Sequence, residues 1–226
     1  MLFLGLVMDT LRLAFDSPVV VLDTETGGLS PQAEIRWEEN KAKGGVIGTI
    51  LSPPSPILQI SAIRLNQQTL EEEAHFNTLI GPDDGETVDD LLSRCTETAL
   101  KVNGIGERKK ELSSSPSLKK VITDFMCWLP KRHLVAGQNV QFDLNFLNSA
   151  LERLGRSERF YGQPLELLAF ARLYFSLPDT HIVANHKLET IASALGIDTE
   201  NAHDALADCR MTASVMKKIF KRFSLK

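Results

Sequence analysis

The sequence predicts an α/β domain built on one central mixed β-sheet flanked by helices, and three observations carry that prediction. Residues 19–22 (VVVL) form an unbroken aliphatic run of the kind found in a strand buried on both faces. Two more strand-like runs, 57–65 and 74–80, follow with no helical pattern between them. From residue 87 onward the periodicity turns helical, interrupted by one short apolar run at 134–137. The chain has 226 residues, 43% hydrophobic and 24% charged, so it can bury a core and is not globally disordered. At roughly 100–200 residues per domain, that length suits one domain with an insertion.

Taken in order, residues 1–17 read as an N-terminal extension to a domain covering 18–226. The opening MLFLGLVMDTLRLAF is apolar, but no basic residue precedes Arg12 and there is no small-residue cleavage site, so a signal peptide is not expected. No apolar run approaches ~18 residues, so no membrane span or membrane partner is expected. Cys95, Cys127 and Cys209 are isolated and form no CxxC pair, which speaks against a zinc ribbon or a disulfide framework. The expectation is a soluble, intracellular protein, in the cytoplasm of a bacterium or, in a eukaryote, the nucleus as well.

After the first strand, residues 30–56 break the pattern with Glu34, Glu38, Glu39, Lys41, Lys43, the paired Gly44 and Gly45, and prolines at 53, 54 and 56. They read as a long, partly mobile excursion inserted between strands. Strands 57–65 and 74–80 read as a meander turning at 66–69. Helices are expected at 87–101, 117–129, 142–154, 164–175, 187–195 and 205–223, with a short strand at 134–137.

Four carboxylates fall where burial makes them costly. Asp23 and Glu25 are two apart at the end of an apolar strand, so both side chains fall on one face. Like charges this close repel unless they share a cation, although for such a pair alone a solvated loop is the plainer reading. Asp143 shares its helical row with Leu147, Ala150 and Leu154, and Asp208 shares its row with Thr212, Val215 and Ile219. Asp204 is placed to cap the last helix, so Asp208 is not needed for that role. His203 precedes the cap. An unpaired buried carboxylate is expensive, and three segments each supply one or two. A shared divalent site is the economical solution, and hard oxygen ligands suit Mg²⁺ or Mn²⁺ better than Zn²⁺. Two such ions about 3.5–4 Å apart would form a clamp for phosphodiester cleavage, with His203 as the general base.

Three ordered motifs carry a family likeness. They are Val20-Val21-Leu22-Asp23-Thr24-Glu25-Thr26-Gly27-Gly28-Leu29, then Leu134-Val135-Ala136-Gly137-Gln138-Asn139-Val140-Gln141-Phe142-Asp143, then Ala202-His203-Asp204-Ala205-Leu206-Ala207-Asp208. With them the chain resembles the DnaQ-like 3′–5′ exonucleases, the histidine type of the DEDD superfamily, on an RNase H-like fold. The resemblance runs from about residue 18 to 220. It implies that Asp23, Glu25, Asp143 and Asp208 bind two Mg²⁺ (or Mn²⁺) ions and that His203 is the base. It also implies release of nucleoside 5′-monophosphates from a free 3′ end. Thr24, Thr26 and Asn139 would border the substrate, and Leu29 would either wedge against the terminal base or sit in the core. Three departures stand out: Gln138 and Asn103 replace common histidines, and Glu166 stands for an Asp in the segment Glu166-Leu167-Leu168-Ala169.

The formal charge of −4 excludes a polycation that holds nucleic acid by bulk charge, but not an enzyme with a local basic groove. Among the basic clusters, Arg153, Arg156 and Arg159 are the first choice for strand contact, while Phe142 and Phe146 read better as core than as stacking platforms. The expected partner is nucleic acid with a free 3′ end. Single-stranded or frayed DNA is favoured and RNA is compatible; a polymerase or other protein partner is left open. The alternatives are an RNA-trimming or short-oligonucleotide exonuclease with the same site, and a non-catalytic interaction subunit that keeps the fold.

Overall fold

Strand β1 (Val19–Thr26) runs through the middle of a mixed sheet in a computed structural model that describes residues 15–39, 46–160, 162–180, 182–200 and 204–224. It is followed by β2 (Glu34–Glu39), β3 (Val46–Ser52), β4 (Ile57–Leu65) and β5 (Glu72–Leu79). Next come helices α1 (Val88–Ser93), α2 (Glu97–Asn103), α3 (Lys109–Ser114) and α4 (Leu118–Trp128), with a 3₁₀ turn at Ile105–Glu107. The chain closes with β6 (Leu134–Gly137), α5 (Val140–Arg153), β7 (Leu165–Glu166), α6 (Leu167–Phe175), α7 (Leu188–Ala194) and α8 (Ala205–Ser224). The main sheet has the order β5-β4-β1-β6-β7. β4 is antiparallel to both β1 and β5, whereas β6 is parallel to β1 and β7 parallel to β6.

Alternation along β1 divides the core in two. Val20 and Leu22 face α4 and α5, packing with Val121, Phe125, Leu144 and Leu147. Val19 and Val21 face α6, α7 and α8, packing with Leu167, Ile191, Cys209 and Met216. The sheet is therefore buried between two helical layers, as the continuous apolar run of β1 anticipates. A smaller cluster of Leu58, Leu91, Ile105 and Leu112 ties α1 to α3 against β4.

Two expectations about elements need correction. The excursion at 30–56 contains two strands that its sequence pattern does not announce: β2 and β3 form a separate antiparallel ribbon, with Ile35 opposite Ile50 and Trp37 opposite Gly48. Its glutamates disguise an alternating strand, since Glu34, Arg36 and Glu38 share one face while Ile35 and Trp37 share the other. Residues 40–45 lie outside the described residues. The helix expected at 87–101 is two helices. Thr87 and Asp90 form a capping box that starts α1, and Thr96 caps α2 by accepting from the Ala99 amide. The Thr96 N–H donates to Gly27 O at 2.6 Å, so the break between the helices is stitched to the end of β1.

At the N-terminus, Phe15 already belongs to the packed domain: its amide donates to Gln67 O and its ring packs on Phe220. Residues 1–14 of the expected extension lie outside the described residues.

Gly137, where β6 ends, sets how closely the second motif approaches β1. A Cβ there would lie 2.9 Å from Leu22 O and 2.8 Å from the Val140 Cβ. Gly137→Ala is therefore expected to cost about 1–3 kcal/mol through overpacking, lowering Tm by roughly 3–10 °C in a thermal melt. An unchanged Tm would mean that β6 can shift away from β1 freely.

Candidate active site

β6 pairs with β1 only from Val19 to Val21, so β1 runs on past the end of its parallel neighbour. The Asp143 carboxylate occupies the vacated edge. Its Oδ1 accepts from the Thr24 amide at 2.8 Å and from Thr24 Oγ1 at 2.7 Å. Asp143 is only 4% exposed, near the start of α5, where an acid also suits the helix dipole.

On the opposite face of β1, Asp23 and Glu25 project toward α8 and remain partly accessible. Asp208 reaches them from the first turn of α8. Each of these three carboxylates offers an oxygen, and the three oxygens lie within 4.8 Å of one another. The Asp204 side chain accepts from the Ala207 amide at 3.0 Å, capping α8 as expected, so Asp208 can face the strand. Three hard oxygen donors from two elements fit a divalent cation. Asp143 stands beside this trio, with one of its oxygens committed to Thr24.

The electrostatics are those of an acid cluster without a cation. Burial, then the charges of Asp143, Glu25 and Asp208, hold the Asp23 pKa well above the usual carboxylate range. Burial, then Asp208 and Asp143, push Glu25 up to about 7. Burial raises Asp143 as well, against the two hydrogen bonds from Thr24 that favour its charged form.

Two clefts border the cluster, one through Glu25 and the other through Asp23 and Asp208, and they share no lining residue. One, of about 750 Å³, is lined by Thr24, Glu25, Thr26, Leu29, Asn103 and Phe142 among others. Leu29 is 83% exposed, so the core alternative for it does not hold. Thr26 is buried; its hydroxyl donates to Gly28 O at 2.7 Å and shapes the loop that carries Leu29. Asn103 Nδ2 donates to Thr26 O at 3.2 Å, bracing the same loop from α2. Phe142 is partly buried in this wall, whereas Phe146 is core. The second cleft, of about 650 Å³, opens on Asp23 and Asp208.

Asn139 is exposed and lines neither cleft. It holds a left-handed conformation (φ 57°) at the start of α5, and its side chain makes no cap bond. Glu166 does that work instead. Its carboxylate accepts from the Asn139 amide at 2.8 Å, the Val140 amide at 3.1 Å and the Leu168 amide at 3.2 Å. One side chain thus caps α5 and α6 together and fixes the turn that delivers Asp143. The only sequence signal for this role was an acid at the start of the Glu166-Leu167-Leu168 segment. Within the cluster Arg153–Arg159, Arg156 pairs with Glu158 and the Arg159 guanidinium donates to the carbonyls of Arg156 and Glu158, whereas Arg153 is exposed. His203 lies outside the described residues.

The family model RNase_T, described as Exonuclease, matches residues 20–216. The chain is a member of this exonuclease family. Similar family members include the DNA polymerase III subunit epsilon of Aquifex aeolicus, 25% identical over 172 residues, covering 76% of this chain and 75% of that one. DNA polymerase III PolC-type of Clostridium perfringens is 27% identical over 210 residues, covering 92% of this chain but 12% of that one. The chain spans about a tenth of the length of such PolC-type relatives. Among solved structures, the nuclease domain of 3′hExo, described as a DEDDh family member bound to rAMP, superposes with a TM-score of 0.62 at 15% identity, covering 93% of this chain and 95% of that one. E. coli exonuclease I in complex with a dT13 oligonucleotide gives a TM-score of 0.66 at 20% identity, covering 91% of this chain and 41% of that one. The mixed sheet between two helical layers is thus the RNase H-like exonuclease fold.

The raised carboxyls make stability depend on pH with a definite sign. A carboxyl whose pKa is raised by folding binds its proton more tightly when folded. Its contribution is therefore most favourable below the ordinary carboxylate range and is lost as pH rises toward about 7. The metal-free protein is expected to lose roughly 5–10 °C in Tm between pH 5 and pH 8. Millimolar Mg²⁺ or Mn²⁺ is expected to restore more of it at pH 8 than at pH 5. Melts that are flat with pH and indifferent to the ion would remove the cluster from metal binding.

Proposed function

We propose that this family member is a 3′–5′ exonuclease that uses divalent metal to release nucleoside 5′-monophosphates from single-stranded or frayed DNA ends. The observation that carries this reading is the convergence of Asp23, Glu25 and Asp208 between two clefts, with Asp143 locked beside them through Thr24. Two Mg²⁺ or Mn²⁺ ions held by these four carboxylates would supply a water made acidic enough to attack and a counter-charge for the leaving 3′ oxygen. The names of the relatives, subunits and forms of DNA polymerase III, support a proofreading-like role and DNA as the first substrate. The exonuclease I complex with an oligonucleotide supports a single strand as the bound form.

The chain's own residues divide the remaining work. Thr24 and Thr26 form the floor of the 750 Å³ cleft, whose size suits a nucleoside, and Leu29 and Phe142 give it apolar surface for a base. Glu25 opens onto this cleft, so the 3′-terminal nucleoside would lie there with its phosphate at the acid cluster. His203, five residues before Asp208 in the chain, would accept the proton of the attacking water. The exposed Asn139 would reach substrate only outside both clefts.

Digestion of 3′-labelled single-stranded DNA, duplex DNA and RNA side by side, with product sizing, tests this reading. The expected result is mononucleotide release from the 3′ end in Mg²⁺ or Mn²⁺, fastest on single-stranded DNA. Asp23→Ala or Asp208→Ala should lower kcat roughly 10³-fold or more, and His203→Ala roughly 10²–10⁴-fold. Faster cleavage of RNA would move the substrate to the RNA-trimming alternative. No cleavage of any strand would leave a non-catalytic module with the same fold.

A further inference from the structure

The second cleft, of about 650 Å³, differs in chemistry from the first. Along with Asp23 and Asp208 it is lined by Arg172 of α6, by Lys187 just before α7, and by Glu189. Arg172 and Lys187 are exposed, and neither makes an ion pair among the described residues. Most of the described arginines are paired with neighbours, as in Arg94–Glu86, Arg108–Glu111, Arg156–Glu158 and Arg210–Glu72. Arg172 and Lys187 instead stand beside a strongly acidic cluster without pairing to it.

The segment that carries Lys187 is also held in place. Asn185 Oδ1 accepts from the Lys187 amide at 3.0 Å and from Thr190 Oγ1 at 2.8 Å. Gln138 Nε2 donates to His186 O at 2.8 Å, which ties the segment to the end of β6, and the His186 ring packs edge-on against Phe175. Such pinning lowers the ordering cost of binding there.

We infer that this cleft receives the phosphodiester backbone of the strand on the 5′ side of the scissile bond, with Arg172 and Lys187 on its phosphates. The inference rests on the exonuclease reading above. With the terminal nucleoside in the first cleft and its phosphate at the acid cluster, the rest of the strand has to continue outside that cleft, and the second cleft opens on the same cluster while sharing no lining residue with the first. Two exposed cations in this cleft offer an otherwise acidic chain individual partners for the phosphates of a polyanion. They also lie apart from the Arg153–Arg159 cluster, where Arg156 and Arg159 are engaged with their own neighbours.

The test compares two substrates on the full chain. The p-nitrophenyl ester of thymidine 5′-monophosphate fills the nucleoside cleft and the scissile position alone, whereas an oligothymidylate octamer also spans the exit. The ratio of kcat/KM for the octamer over the ester should fall roughly tenfold in the double variant R172Q/K187Q, mainly through KM. The slope of log KM for the octamer against log salt should flatten by roughly 0.7 for each phosphate that the variant no longer neutralises. The charge-keeping R172K/K187R should recover most of the ratio, which a merely structural role would not produce. An unchanged ratio and slope in R172Q/K187Q would overturn the assignment while leaving the exonuclease reading intact. If the wild-type chain hydrolyses neither substrate, the parent reading fails and takes this one with it.

Discussion

Where β6 stops pairing with β1, the Thr24 amide would be left without a ladder partner, and Asp143 supplies one from the start of α5. A buried backbone N–H needs an acceptor, so this bond is a structural obligation as well as an electrostatic one. It ties the second motif to the first across 119 residues of sequence. It also determines how the remaining acids are distributed. Thr24 occupies the α5 face of the strand, so Asp23 and Glu25 on either side of it must face α8, where Asp208 waits. The site is thus a consequence of one strand outrunning its neighbour. Gly137 and Glu166 serve the same geometry, the one by allowing close approach to β1 and the other by capping the turn into α5.

The arrangement is electrostatically incomplete as protein alone. The charges that bear on Asp23 are those of Asp143, Glu25, Asp208 and Asp204, and all of them raise its pKa. Folding brings these groups together at a cost, which the core on both faces of β1 sustains. A divalent cation held there would offset that cost, so the same feature that weakens the metal-free fold would sharpen an affinity for metal. In the proposed reading the two clefts would separate the tasks of substrate binding, with apolar surface for a nucleoside beside Glu25 and the two cations Arg172 and Lys187 in the cleft beside Asp23 and Asp208.

Much of this was legible in the sequence because the periodicities were strong. The run VVVL forced a buried strand, and the rows of Asp143 and Asp208 along their helices placed both acids toward the core, as the buried Leu147, Ala150, Val215 and Ile219 show. The cap by Asp204 followed from its position alone. Long-range bonds were not legible. The break at Thr96 depends on a bond to Gly27 O, and β2 hides its alternation behind glutamates that resemble a solvated loop. Leu29 could be read as core or surface because an apolar side chain after a Gly-Gly turn has no periodicity to place it. Glu166 caps α5 through the amides of Asn139 and Val140, 27 and 26 positions away, beyond any local pattern.

Burial and the neighbouring acids raise the pKa of Asp23 and push that of Glu25 up to about 7, so binding of a divalent cation at this cluster has to displace protons near neutral pH. Calorimetric titration of the metal-free protein with Mg²⁺ or Mn²⁺ at pH 6.5, repeated in buffers of different ionisation enthalpy, counts the protons released on binding. The expected result is net proton release on binding at pH 6.5, with the share from Glu25 vanishing by pH 9, where that carboxyl is ionised beforehand. Metal binding with no proton release at pH 6.5 would show that the cluster is already ionised and contradict the account.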